Sequence, residues 1–215
     1  MNIWKINIPK SIITLTMLAI VLNVFRILIW GKLSFTWILW NIILAFVPFL
    51  ISSLMLIFLK EGKLNKVLFV IGIFLWIIFI PNSPYIITDF IHLGTTRSIP
   101  IIYDILLIFS SATVGLILCF HSLFHIEQII KIKHKKNIAT FIMVVFMMMI
   151  SFGVYLGRFL RFNSWDIFID HNSLVNNIWK ITRDASNHTE VYLYTFLFFT
   201  FLSISYIAWK YSNNK

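Results

Sequence analysis

Apolar and polar positions follow one another along this chain in long blocks rather than in a short period. Runs of about 20 apolar residues, enough for a helix to cross a hydrocarbon core near 30 Å, fall roughly at 11–30, 35–59, 64–80, 99–120, 138–156 and 191–209. Backbone polar groups in lipid must be satisfied within the segment, so such runs are helices. The pattern predicts an all-α fold, a polytopic membrane helix bundle of about six transmembrane helices plus short interfacial helices. The gaps are short except for 157–190, and no linker or internal repeat is visible, so residues 1–215 read as a single integral membrane domain. Lys5 and Lys10 precede the first run as in a signal peptide, but a small-residue cleavage pattern is missing, which makes the run a retained span.

Composition agrees, with 60% hydrophobic and 12% charged residues, far from a soluble domain. The net charge of +10 would suit a nucleic-acid partner if it lay along one polar face, but the lysines sit in gaps between apolar runs, so no nucleic acid is expected. Basic residues in short loops are retained on the cytoplasmic side. With the N-terminus inside, that side holds Lys5, Lys10, Lys60, Lys63, Lys66, Lys131, Lys133, Lys135, Lys136, Lys210 and Lys215. The other holds Arg26, Lys32, Arg97, Arg158, Arg161, Lys180 and Arg183, mixed with acids. Eleven against seven predicts both termini in the cytoplasm. The single cysteine, Cys119, lies within an apolar run, so neither a disulfide nor a Cys-based metal site is available, and no cofactor or metal is expected.

The first polar element is "PNSPYIITDFIHLG", residues 81–94. Ser83 suits an N-cap, Pro84 the first helical position and Gly94 the residue past the last turn, which predicts a short helix from Pro84 to Leu93. On an α-helix Tyr85, Thr88, Asp89 and His92 share one face, opposite Ile86, Phe90 and Leu93. Such a stripe offers proton transfer by a His92 oriented by Asp89, a metal held by Asp89 and His92, or a polar head-group site. It also fits a helix lying on the membrane surface, polar side in water.

The second is "GRFLRFNSWDIF", residues 157–168. A helix continuing through Gly157 sets Arg158 and Arg161 one turn apart with Phe162 and Trp165 beside them, and Asn163 and Ser164 supply a turn ahead of Trp165 and Asp166. Guanidinium forks match phosphate or carboxylate, so this is a candidate clamp for an anionic ligand. Arginine and tryptophan at a span end also serve as interfacial anchors. Downstream, Ser173 is a candidate cap for an amphipathic helix carrying Leu174, Val175, Ile178 and Ile181. Asp170, His171, His188 and Glu190 form no compact metal motif and read as solvated loop residues.

Ionisable groups inside spans cost about 2.5–3.5 kcal/mol each on insertion scales. Asn23, Arg26, Asn41, Asp104 and Arg158 gather toward the outer side. Arg26 can pair with Asp104 or Asp89, although both Arg26 and Asp104 are near enough to a span end to snorkel, the reading preferred for Asp104. His121, His125 and Glu127 read as a wet cytoplasmic edge, and Ser111-x-x-x-Gly115 as a close helix contact. The Met147–Met149 run reads as lipid-facing or packing filler.

The two polar motifs in this order resemble the bacterial integral membrane family catalogued as domain of unknown function 1361, over nearly the whole chain. The resemblance implies a multi-pass protein of a bacterial plasma membrane and carries over no catalytic role. The residues themselves point to an extracytoplasmic-face site for an anionic lipid head group or envelope ligand, built from Tyr85, Thr88, Asp89, His92, Arg158, Arg161, Asn163, Trp165 and Asp166. His92 and Asp89 are the candidates for any catalysis. Partners would be the lipid bilayer, such an anionic ligand and a membrane protein. The alternatives are an accessory or assembly subunit of a membrane complex and, behind it, a small-solute transporter, disfavoured by apolar mid-span sequences.

Overall fold

The long apolar runs fold as helices in the computed structural model, which describes residues 6, 8–31, 33–94, 99–184 and 186–213, the side chain of Lys133 apart. Lys5, Lys32, Arg97 and Lys215, counted above for topology, lie outside the described residues. The order is α1 (Lys10–Trp30), α2 (Trp37–Lys60), α3 (Lys66–Phe79), α4 (Asn82–Tyr85), a 3-10 helix (Ile86–His92), α5 (Ile101–Lys133), α6 (Lys136–Phe159), α7 (Asp166–Ile169), α8 (His171–Arg183) and α9 (Thr189–Asn213). No strand occurs among the described residues. Six helical stretches are long and apolar enough to cross a membrane, as expected, and the chain is a multi-pass membrane protein.

The chain divides into two compact units, Met1–His134 and Lys135–Lys215. In the first, α5 is the central helix: α1 and α2 pack on it, α3 packs on α2, and α4 and the 3-10 helix turn in against α2 and α5. The sequence pattern ended this span near residue 120, yet α5 runs on to Lys133, 33 residues and about 50 Å long. Leu123, Ile126, Ile129 and Ile130 keep the spacing of one helical face and are buried, and Glu127 pairs with Lys131 at 2.7 Å, one turn on. The basic "KIKHKK" therefore begins in the last turn of a helix rather than forming a loop.

Proline sets the path of the third span. α3 has only 14 residues, about 21 Å, and ends where Pro81 lacks the N–H that would continue the ladder. It reaches spanning length, 27 residues, only with the continuation through His92. That continuation fits closely against α5. A Cβ on Gly115 would lie 2.2 Å from the Ser83 carbonyl oxygen, so only glycine permits the approach, and Ser111 one turn earlier is buried. This is the close helix contact expected of Ser111-x-x-x-Gly115. Ser83 Oγ donates to the Ala45 carbonyl of α2 at 3.0 Å, locking the segment to both neighbours.

In the second unit α6 packs along α9 and α7 packs on α8. Tyr155, Ile181 and Val191 form a small core with Phe152, Leu156 and Leu160 against it. The methionine run splits as helical geometry requires. Met147 is buried and accepts a contact from Ser203 Oγ at 3.3 Å, while Met148 and Met149 are exposed.

Candidate functional site

One end of the first unit, where α1 meets α2, collects the costliest groups of the bundle. Arg26 and Asp104 are each only 1% exposed and pair at 3.0 Å, Nε donating to Oδ1. Asp104 thus does not snorkel, contrary to the preferred sequence reading. The 70-odd residues between them fold back so that α1 and α5 lie side by side, which brings the cation and the anion into direct contact and leaves neither charge buried alone. Gly31, with φ of 60°, ends α1 and turns the chain so that Ser34 reaches back. Arg26 Nη1 donates to Ser34 Oγ at 2.8 Å and to the Ser34 carbonyl, and its guanidinium lies 4.5 Å over the Phe35 ring. Tyr103 donates to the Leu22 carbonyl at 2.5 Å and packs against Phe25 and Trp30.

The first motif abuts this end, but not as the α-helical stripe expected. Residues 86–92 form a 3-10 helix with three residues per turn. Rows therefore repeat every three positions: Ile86 and Asp89 are buried and His92, next in the row, is half-buried, while Ile91, in the row of Tyr85 and Thr88, is exposed. Asp89 shares its face with Ile86 instead of opposing it. The Asp89 carboxylate accepts from Asn41 Nδ2 at 3.2 Å, His92 packs edge-on to Trp37 at 5.2 Å, and Thr88 Oγ1 donates to the Tyr85 carbonyl. Ser83 lies inside α4 rather than capping a helix, and Gly94, with φ of 77°, does take the left-handed conformation expected after the last turn.

In the second unit the helix stops sooner than the sequence suggested. Arg158 sits in the last turn of α6, but Arg161 is outside it, in the left-handed region with φ of 59°. The Phe162 N–H closes onto the Leu156 carbonyl at 3.2 Å, just past the left-handed Arg161, and so satisfies one of the last carbonyls of α6. The two arginines therefore flank a helix end instead of sharing a face. Asn163 and Asp166 brace the next turn: the Asn163 N–H donates to Asp166 Oδ2 at 2.6 Å, and the Asp166 N–H to the Asn163 carbonyl at 3.0 Å. Trp165 is half-buried and its carbonyl opens the ladder of α7. Asp170, not Ser173, caps α8, its Oδ1 taking the Ser173 N–H at 3.4 Å. At the far end of α8 the Asn187 side-chain amide holds Asp184 below the usual carboxylate range.

A left-handed β-carbon-bearing residue is strained by about 1–2 kcal/mol, and glycine removes the strain. Arg161→Gly is expected to raise stability by about 0.5–1 kcal/mol, whereas Arg161→Gln should leave it nearly unchanged. Paired denaturation curves in detergent check this, and equal midpoints for the two variants would show that Arg161 does not set the helix end.

Sequence reasoning missed a polar network at the opposite end of the first unit. Trp76 Nε1 donates to Ser122 Oγ at 2.7 Å, and Ser122 Oγ lies 3.0 Å from both the Pro48 carbonyl and Ser52 Oγ. Ser52 and Ser53 direct their hydroxyls to the Phe49 carbonyl and lie 3.3 and 3.4 Å from His125 Nδ1. His125 is thus part of the α2–α5 contact, not a wet edge. The available signal was the spacing of Ser122 and His125, one turn apart on an apolar helix. Among the described residues no group of three or more His, Cys, Asp or Glu comes together to hold a metal ion.

The chain matches over residues 40–205 the family model described as "Protein of unknown function (DUF1361)", and it belongs to that family. No curated protein and no solved structure matches it.

Proposed function

We propose that the protein binds an anionic head group, a phosphate or carboxylate of a lipid or envelope component, at the end of α6, on the extracytoplasmic face of a bacterial plasma membrane. In this reading both termini are cytoplasmic, the whole chain acts as one integral membrane domain, and Arg158 and Arg161 supply the charge. The observation that supports it is Arg161 itself. It is exposed, makes no ion pair among the described residues, and occupies a strained position where glycine would be more stable. A guanidinium presented beside half-buried Phe162 and Trp165 at the end of a spanning helix meets lipid phosphates at their own depth. Arg26 contributes no binding charge, because Asp104 neutralises it. Asp89, buried and held by Asn41, serves the fold in this reading, which is one of binding rather than catalysis.

Hydrogen bonds to charged groups contribute about 1.5–3 kcal/mol each, so Arg158→Gln/Arg161→Gln is expected to weaken retention of phosphatidylglycerol at least about tenfold. Native mass spectrometry from mixed phosphatidylcholine and phosphatidylglycerol nanodiscs reads the ratio. Arg161→Gly, which keeps the helix end but not the guanidinium, should lose retention in step. Unchanged retention in the double variant would defeat the arginine site. Labelling of a cysteine at Asn172 by an impermeant maleimide on intact cells, in a Cys119→Ser background, is expected and would fail if the face were cytoplasmic.

A further inference from the structure

The apolar arc of α8 is wider than the protein surface that covers it. At 100° per residue, Leu174, Ile178 and Ile181 occupy one half of an arc of about 160°, and Val175 and Trp179 the other. The first half turns inward. Ile181 is buried beside Tyr155 and Val191, its carbonyl accepts from Tyr192 Oη at 3.2 Å, and Leu174 and Ile178 are half-buried. The second half is open: Val175 is 59% and Trp179 66% exposed, and Phe168 and Ile169 of α7 add 58% and 77%. Asn176 and Lys180 lie on the opposite, exposed side, and exposed Asn172 and Arg183 border the open strip next to Trp179.

We propose that α7 and α8 form an in-plane membrane element, with Phe168, Val175 and Trp179 seated in the lipid at the boundary between head groups and acyl chains. Three observations select lipid as the occupant. The element is tied at both ends to spanning helices, six residues after α6 ends at Phe159 and five before α9 begins at Thr189. It packs beside the aromatic ends of those helices, where Tyr155, Phe159 and Tyr194 stack on one another, and aromatic belts of this kind mark the membrane boundary. The open strip is also only four side chains wide, small against the roughly 800 Å² per partner of a stable protein interface.

Charge does not drive the insertion, since Asp166, Asp170, Asp184 and Glu190 offset Lys180, Arg183, Arg158 and Arg161 along this connection. Apolar burial does, so zwitterionic lipid suffices. The inference therefore stands apart from the anionic head-group reading and fails or holds independently of it.

The test is nitroxide accessibility on the full chain in phosphatidylcholine vesicles, in a Cys119→Ser background, with single labels at 168, 175 and 179 and at 176 and 180. The first three are expected to collide with oxygen and to be shielded from a water-soluble nickel chelate, and the last two to show the reverse, with no dependence on salt or anionic lipid. Access of the chelate to 175 and 179 would place the strip in water, and shielding from both reagents would place a protein over it; either overturns the proposal. Should labelled variants not fold, quenching by brominated lipid gives a second reading. Trp179→Phe should remove part of the lipid-quenched emission, and an unchanged quenched fraction would be decisive against lipid contact.

Discussion

Asp104→Asn is expected to destabilise the protein by about 3–5 kcal/mol, the cost of leaving a buried charge without its partner. Arg26 is 1% exposed and lies among the flanks of α1, the Phe35 ring and the N-terminal end of α5, with Asp104 Oδ1 at 3.0 Å as its ion-pair partner. Asparagine keeps the shape but removes the negative charge, and Ser34, through its hydroxyl and carbonyl, offers dipoles rather than a counter-ion. Arg26→Met/Asp104→Leu should recover most of the loss, because removing both charges removes both desolvation penalties. A double-mutant cycle by unfolding in mixed detergent and dodecyl sulfate micelles measures the coupling. Additive single and double losses would show that the two side chains do not act as a pair.

Gly115→Ala should cost about 3 kcal/mol, the upper end of what overpacking produces. The added carbon would meet the Ser83 carbonyl oxygen at 2.2 Å, and that oxygen belongs to backbone held on its other side by the Ser83 hydroxyl bond to Ala45. α4 and α5 would have to separate, which also loosens Asp89 and His92 just beyond. Gly72 is the control. A Cβ there meets Met55 Sδ at 2.6 Å, the end of a flexible side chain that can swing aside. Alanine returns about 1 kcal/mol of helix propensity at both positions, so Gly72→Ala should be within about 1 kcal/mol of wild type. Equal thermal midpoints for the two variants would dispose of the close approach at Gly115.

Much of the candidate site could be located from the sequence, but not arranged. Pro81, Asp89, Arg158 and Arg161 stand out because proline and charge are rare in apolar runs. Their roles diverged once neighbours were fixed. Asp89 lies in a 3-10 row with Ile86 because that segment packs against α2 and α5, and local cap signals at Ser83 and Pro84 do not see that packing. Arg161 reads as one more helical residue, yet it ends α6 in a left-handed turn that a glycine would have announced. His125 looked wet because lysines follow it; its serine partners come from α2, some 70 residues away.

The sequence by itself determined the membrane class, the all-helical fold, the number of spans and the family. The first three follow from local quantities, the length of an apolar run and the obligatory internal hydrogen bonding of backbone in lipid, and the family follows from the two polar motifs in order. Only the tertiary structure decided which buried polar groups are neutralised and which remain presented. Arg26 and Arg158 both sit near span ends, but Arg26 faces Asp104 across a helix contact, and Arg161, beyond Arg158, lies exposed past a helix terminus. Pairing energies in a low-dielectric core depend on distances between segments remote in sequence, and those distances come from how helices pack.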